Sequence, residues 1–246
     1  MRPIRIVVLL LILMASGSKP SHADPDCAGA DQTCLLDLLD RDATAIPEQD
    51  WRDSTYRELA KLLARKGEED KAVALLDKIK TPDTKAITIR GIGMNAAQFV
   101  KLTKEQYDAL FAALTSKANS MRDLPSQAIA LNYIAESQAT AGDDAGSLKT
   151  ALAMKNEEMR NKALYDSSKA QAAAGRIDAL EAGINAINQV PFRDKARRTA
   201  SQIRADAKDY DGALHLANEI ENAYQKAQAV LYILVRQISP EEVSIE

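Results

Sequence analysis

Apolar residues recur along most of the chain at the three- and four-residue spacing of amphipathic helices. In residues 53–82 one helical face carries Tyr56, Leu59, Ala60 and Leu63. Val, Ile and Thr are scattered, and aromatic residues make up only 4% of the chain. The short alternating runs that mark strands are therefore nearly absent. The pattern predicts an all-α protein of about a dozen helices.

Local signals place several helix ends. Thr55 with Glu58, and Thr103 with Gln106, have the spacing of capping boxes and predict helix starts. Prolines, which lack an N–H group, mark breaks at Pro82, Pro125 and Pro191. Glycines that fit left-handed helix caps lie between helices at Gly67, Gly142 and Gly175.

The glycine turns also reveal a repeat. Gly142 and Gly175 are 33 residues apart, and Lys208 lies 33 residues further on. The segments that precede the two glycines, residues 135–142 and 168–175, align with one another. A fixed period with two helices per unit predicts an α-solenoid of antiparallel helical hairpins. Alanines that recur in phase are expected to pack between helices: Ala60, Ala72, Ala135, Ala139 and Ala213.

Residues 53–82 resemble a unit of the tetratricopeptide repeat (TPR) family. The four apolar residues named above occupy the packing positions of the family's first helix, and Gly67 occupies its turn. The second-helix positions carry Ala72, Leu76 and Ile79, and in the last unit Ala213, Ala217 and Ile220. The resemblance covers about residues 53–237 but shows no clear unit from Met94 to Asp123. It implies a TPR-like superhelix.

The N-terminus has the parts of a secretory signal peptide: two arginines, an apolar run over residues 6–15, and Ser21-His22-Ala23 before the expected cleavage. The run would rise only about 15 Å as a helix, which is half of a bilayer core. Cys27 does not follow the run at a lipoprotein spacing. We therefore expect signal-peptide cleavage, no stable membrane anchor, and a periplasmic or secreted protein. The predicted organisation is a signal peptide over residues 1–23, an N-terminal arm with the first helix over 24–50, and a repeat domain over 51–246.

The chain's two cysteines, Cys27 and Cys34, lie close together in the predicted arm. In an oxidising compartment such a pair predicts a disulfide, here one that joins the arm to the first helix. The sequence has no C-x-x-C redox or haem motif, and no nearby histidine would complete a metal site.

Charge and motifs exclude several classes of function. Removal of residues 1–23 deletes three basic residues and no acidic ones, which takes the formal charge from −3 to −6. An acidic exported chain is not expected to bind nucleic acid. The only histidine after residue 23 is His215, and no nucleophile, zinc or phosphate-binding motif accompanies it. We predict no catalytic residue, no metal site and no cofactor.

The TPR resemblance implies that the first helices of successive hairpins line a peptide-binding groove. The corresponding positions are Arg57, Lys61, Arg65, Asn132, Glu136, Tyr165, Lys169, Arg198, Gln202 and Asp206. This set is more basic than the whole chain, which favours a protein or peptide partner with an acidic segment or a free C-terminal carboxylate. The alternative interpretation is a solvated helix face with ordinary charges.

Two classes of function remain. The favoured one is a protein- or peptide-binding scaffold that is not an enzyme. The alternative is a helical domain of an enzyme that processes envelope polymer, or an accessory factor of one. Glu136-Ser137 resembles a dipeptide of lytic transglycosylases, but the downstream motif of that family is missing. A polymer groove should also show paired carboxylates and aromatic platforms, whereas the only tryptophan is Trp51, outside the predicted repeats.

Overall fold

The computed structural model describes Cys27 and residues 30–241, and within them it contains twelve α-helices and no strand. The all-α prediction is confirmed, whereas the predicted signal peptide lies outside the described residues. No helix in the described part of the chain is long and apolar enough to cross a membrane. The helices are α1 Gln32–Ala45, α2 Gln49–Lys66, α3 Glu69–Leu75, α4 Pro82–Phe99, α5 Lys104–Asn119, α6 Leu124–Ala141, α7 Asp144–Leu152, α8 Glu157–Ala173, α9 Ile177–Asn185, α10 Val190–Asp206, α11 Tyr210–Asn218 and α12 Ala223–Ile238.

The chain divides into two units, residues 1–38 and 39–246, and the boundary falls within α1. In the first unit a disulfide joins Cys27 to Cys34, with Cα atoms 5.4 Å apart. The Asp31 carboxylate accepts a hydrogen bond of 3.0 Å from the backbone N–H of Cys34. The disulfide agrees with the pair expected from the sequence. The predicted boundary at residue 50 stays a prediction.

In the second unit the six even-numbered helices, α2 to α12, pack on one another in chain order. We call them the even helices; each is 16 to 18 residues long. Except for α5, the odd helices from α3 to α11 have 7 to 9 residues, and each packs against the even helix before it. The stretch from Met94 to Asp123, where the sequence shows no clear unit, contains the end of α4 and the whole of α5, which has 16 residues and contacts both α4 and α6.

Small side chains occupy the contacts between these helices. The five alanines expected at packing positions, Ala60, Ala72, Ala135, Ala139 and Ala213, are all fully buried. A methyl group at a contact lets two helix backbones approach closely, so larger residues can fill the space between contacts. Leu59, Leu76, Ile89 and Ile134 are among the large side chains buried there.

The turns follow the glycine pattern. Gly67, Gly142 and Gly175 all have left-handed backbone conformations, with φ of 84°, 87° and 69°. Lys208, in phase with Gly175, has the same conformation with φ of 65°. The turn is therefore retained where its glycine is not, although a left-handed conformation costs a residue with a Cβ about 1–2 kcal/mol.

A buried carboxylate connects two of the even helices. Asp53, the fifth residue of α2, is fully buried. Its Oδ2 accepts hydrogen bonds from the backbone N–H groups of Lys80 (3.0 Å) and Thr81 (2.7 Å). Thr81 is the N-cap of α4. Asp53 therefore fixes the start of α4 against the first turns of α2 and satisfies two N–H groups that the helix leaves unpaired.

Most, but not all, of the predicted helix starts agree with the structure. The capping box of Thr103 and Gln106 is confirmed. The one predicted at Thr55 is wrong, because α2 already begins at Gln49. The Thr55 hydroxyl instead donates to the Trp51 carbonyl one turn earlier, at 2.9 Å. The three prolines occupy the first or second residue of the even helices α4, α6 and α10, as expected.

Candidate functional site

A cluster of cations lies between the even helices α2 and α4. A depression of about 510 Å³ is open there, and we call it the α2–α4 depression. Its α2 wall carries three of the predicted site residues, Arg57, Lys61 and Arg65, together with Glu58. Its α4 wall consists of Ile87, Arg90, Gly91, Met94, Asn95, Gln98 and Phe99.

Four cationic side chains and one carboxylate line this depression, and positive charge predominates even though one of the four, Arg90, pairs with Glu136 on α6 at 3.1 Å. Glu58 binds both Lys61, at 2.6 Å, and Arg57, at 2.8 Å. The hydrogen bond from Lys61 lowers the pKa of Glu58 against a smaller opposing effect of burial, and the bond from Arg57 lowers it further. Glu58 is therefore ionised at neutral pH, and it holds two cations beside the depression without neutralising both.

Arg65 differs from its neighbours because none of the described carboxylates lies within ion-pair distance of it. Its guanidinium lies 4.1 Å from the centroid of the Phe99 ring, and its Nε donates to Asn95 Oδ1 at 3.0 Å. Asn95 in turn donates to the Gly91 carbonyl at 2.7 Å. An aromatic ring and an amide thus hold the guanidinium through its Cζ and Nε atoms, and a planar guanidinium can bind a carboxylate through two parallel N–H bonds.

Apolar surface borders these cations. Ile87 and Phe99 are 46% and 56% exposed, and Met94 lies between them along α4. Gly91 permits the Lys61 side chain to cross α4, since a Cβ at this position would lie 2.6 Å from Lys61 Cγ. The depression therefore offers cations and apolar contacts side by side.

A second depression, of about 460 Å³, spans α4, α6 and α8 and shares Met94 and Gln98 with the first. We call it the α6–α8 depression. It contains two predicted site residues, Glu136 and Lys169, along with Asp166 and Arg176. Its charges balance, so it lacks the positive excess of the α2–α4 depression.

The charged side chains of the α6–α8 depression are already paired within the protein. Glu136 receives two hydrogen bonds from Arg90, at 3.1 and 3.2 Å, and these raise the pKa of Arg90. Asp166 binds Lys162 at 2.6 Å and Lys169 at 2.7 Å. Burial acts to raise the pKa of Asp166, but the hydrogen bonds from the two lysines outweigh it and the pKa is lowered.

The remaining predicted residues lie outside both depressions. Asn132 is 1% exposed, and its amide donates to Asp166 at 3.3 Å, so it supports the surface from beneath. The Tyr165 ring has the ammonium groups of Lys169 and Lys195 each 4.9 Å from its centroid.

On α10, Arg198 has a buried Nε without a hydrogen-bond partner, and Gln202 is half-buried. Asp206 binds Arg236 at 2.6 Å and Tyr232 at 2.8 Å. The structure therefore gathers five of the ten predicted residues along two adjoining depressions and leaves the other five beneath or beyond them.

The sequence interpretation missed the whole α4 wall, because the predicted groove positions pass from Arg65 directly to Asn132 and none was assigned on the helix between them. The missing signal was the helix that begins at Pro82. Counted from that start, Ile87, Arg90, Met94 and Gln98 recur at three- and four-residue steps and so share one face of α4.

A third depression, of about 500 Å³, adjoins the first through Arg57 and Glu58. Its most exposed large side chain is Trp51, at 73%. Trp51 lies in the first turn of α2, two turns before Arg57 and Glu58. An aromatic ring is therefore available to a ligand that extends beyond the cations.

His215 lies apart from these surfaces, on α11. Its Nε2 is 2.8 Å from Glu181 Oε1, in a smaller depression of about 240 Å³ that Arg197 and Glu219 also line. Among the residues that the structure describes, no group of three or more His, Cys, Asp or Glu side chains could hold a metal ion.

Comparison of the chain with models of known families, with curated proteins and with solved structures returned no match. We therefore infer function from the geometry of these surfaces.

Proposed function

We propose that this protein is an exported binding scaffold, built as a TPR-like array of helical hairpins, whose α2–α4 depression binds an acidic peptide. The array is supported by the chain-order packing of the even helices and by the left-handed turn that recurs from Gly142 to Lys208. Export is supported by the pattern of residues 1–23 and by the disulfide.

The observation that carries the proposal is the guanidinium of Arg65. It is held on Phe99 and Asn95 and has no carboxylate partner among the described side chains. Arg57 and Lys61 lie in the same depression and share one carboxylate, Glu58. A peptide carboxylate would receive two parallel N–H bonds from Arg65, and Lys61 and Arg57 would add attraction at short range.

The apolar border adds a second requirement. A side chain next to the bound carboxylate would contact Ile87, Met94 and Phe99 and remove their surface from water. Ligands should therefore combine an acidic residue, or a free C-terminus, with an adjacent apolar or aromatic residue. A peptide long enough to extend past Arg57 and Glu58 would reach Trp51 in the adjoining depression.

The alternative, a domain that processes envelope polymer, has weaker support. Glu136 is engaged by Arg90, and its nearest carboxylate neighbour in the depression, Asp166, is engaged by two lysines. A general acid and base pair would need carboxylates free to exchange protons. We propose no catalytic role for the surface.

A panel of fluorescent octapeptides tests the proposal on the mature chain. The panel varies three features independently: the number of Asp and Glu residues, the presence of one Leu or Phe beside them, and a free or amidated C-terminus. We expect acidic-apolar peptides to bind at least about tenfold more tightly than their Gln and Asn counterparts, since one charge-assisted bond contributes about 1.5–3 kcal/mol. Equal binding of acidic and amide peptides would refute the proposal.

A further inference from the structure

The outward face of α12 carries no charge. The helix has only two charged residues, Lys226 and Arg236, and both bind groups of their own chain. Lys226 Nζ donates to the Asn218 carbonyl at 3.0 Å, and Arg236 pairs with Asp206 at 2.6 Å. The large side chains on the outward face are apolar or aromatic and well exposed: Tyr224 71%, Leu231 53%, Leu234 45% and Ile238 78%.

These residues follow the seven-residue pattern of a helix-pairing seam. Tyr224, Leu231 and Ile238 are seven residues apart. Ala227 lies three residues after Tyr224, and Leu234 lies three residues after Leu231. This is the a/d spacing over two heptads. We call the five residues the α12 seam.

The opposite face of α12 already packs against the protein. Its buried residues Ala229 and Ile233 join a core cluster with Ala213, Ala217 and Ile220. The helix contacts α10 and α11, and no other helix within the described residues covers the seam. A helix that is apolar on both faces is expected to be buried on both.

We propose that the α12 seam pairs two copies of this chain around a two-fold axis. In a two-fold interface each surface meets its own copy, so any net charge on it would face the same charge. The positions that flank the seam, Gln228, Val230, Val235 and Gln237, are all uncharged. A partner recognised through charge would find no group to bind here, whereas an identical seam meets no repulsion and buries its apolar side chains.

The sizes of the seam residues favour an antiparallel pair. In that arrangement Leu231 meets Leu234 of the second copy, and the small Ala227 meets the large Ile238. A parallel pair would place Ala227 against Ala227 and leave a void between larger layers. Two heptads form less than a standard interface of about 1,600 Å², so the dimer should dissociate on dilution.

Analytical ultracentrifugation of the mature chain over a wide concentration range tests the pairing. We expect a reversible monomer–dimer equilibrium. Leu231→Glu should raise its dissociation constant at least about tenfold, because each copy would bury an unpaired carboxylate. The matched control is Leu62→Glu, which changes a leucine of similar exposure (48%) on α2 and should leave the equilibrium unchanged. A wild-type chain that stays monomeric throughout, or a Leu231→Glu chain that dimerises as well as the wild type, would overturn the proposal.

Cross-linking provides a second test that does not depend on the folding of the Glu variant. Chains with Leu231→Cys are mixed with chains with Leu234→Cys and mildly oxidised. The antiparallel pair predicts that mixed disulfide dimers exceed either like-with-like dimer, and that Leu62→Cys chains give none. Absence of covalent dimers from every seam mixture would overturn the proposal, and an excess of like-with-like dimers would overturn the antiparallel order.

Discussion

Asp194 in α10 occupies the same helix position as Asp53 in α2 and makes the same contact. Both are the fifth residue of an even helix, and both are buried. Asp194 accepts hydrogen bonds from the backbone N–H groups of Glu221 (3.0 Å) and Asn222 (2.9 Å), and Asn222 is the N-cap of α12. An aspartate at this helix position thus connects one even helix to the next at two places that lie far apart in the chain.

The first prediction concerns this contact. Asp53→Ala and Asp194→Ala should each lower the free energy of unfolding by about 2–4 kcal/mol, because two hydrogen bonds from backbone N–H groups to a buried carboxylate are lost. Urea denaturation followed by circular dichroism measures the change. Asn161, the fifth residue of α8, is equally buried but has no hydrogen-bond partner. Asn161→Ala is therefore the matched control and should cost clearly less; equal losses at all three sites would contradict the assigned role.

The second prediction concerns the left-handed turn at Lys208. Lys208→Gly should raise the free energy of unfolding by about 0.5–1 kcal/mol, since glycine adopts a positive φ without strain but gains entropy when unfolded. Lys208→Ala keeps the strained conformation and should bring no gain. Gly142→Ala should lower stability by about 1 kcal/mol, although a Cβ there would meet no atom within 4 Å. Thermal unfolding of the three variants measures their stabilities relative to the wild type. An order other than Lys208→Gly above Lys208→Ala, with Gly142→Ala below the wild type, would contradict the assigned effect of backbone conformation.

Local chemistry in the sequence predicted much of the fold. Helix spacing, the capping box at Thr103, the prolines at helix starts and the three glycine turns are short-range signals, and the structure confirms them. The recurring alanines predicted packing positions because close helix contacts need small side chains. The false helix start at Thr55 shows the limit, since a Thr hydroxyl bonds equally well to a carbonyl one turn earlier inside a helix.

Contacts between distant residues could not be predicted in this way. Nothing near Asp53 in the sequence indicates that its partners are Lys80 and Thr81. The site was predicted in part: one wall of the α2–α4 depression followed from the repeat phase, but the α4 wall did not. The position of a residue within its own helix does not show how the neighbouring helix packs against it. The repeat phase therefore could not reveal that Asn132 is buried, or that Arg90 on α4 binds Glu136 on α6.

The third prediction uses the lowered pKa of Asp166. Because the folded-state pKa lies below the unfolded value of about 3.9, the ionised carboxylate stabilises the fold above that value, and this contribution is lost as pH falls through the folded pKa. Asp166→Asn should therefore reduce the free energy of unfolding by about 1 kcal/mol near neutral pH, a modest figure because both lysines are partly exposed. The difference in stability between the wild type and Asp166→Asn should shrink as the pH falls below the unfolded pKa. Urea titrations at a series of pH values measure this difference in the free energy of unfolding. A difference that does not change with pH would contradict the role assigned to the ionised Asp166 carboxylate.

The fourth prediction concerns export. N-terminal sequencing of protein from an envelope or secreted fraction should begin at or near Asp24, as the pattern of residues 1–23 indicates. Intact mass with and without reductant, after alkylation, should show that Cys27 and Cys34 become accessible only on reduction. An intact Met1 or two thiols that alkylate without reductant would contradict the expected compartment.

The final prediction tests peptide binding in the α2–α4 depression through Arg65. Arg65→Ala should weaken binding of the best acidic-apolar octapeptide at least about tenfold, since it removes the cation that has no carboxylate partner. Binding to the wild type should also weaken as salt rises, because exposed charges are screened within about 8–10 Å. The control is Arg122→Ala, an exposed arginine between α5 and α6 that should leave both affinity and helicity unchanged.

Fluorescence anisotropy titration of these three proteins with that one octapeptide is the most direct measurement. A loss confined to Arg65→Ala, with unchanged circular dichroism, is the result that the account predicts. An Arg65→Ala protein that binds the peptide as tightly as the wild type would contradict it and would place the binding surface elsewhere on the protein.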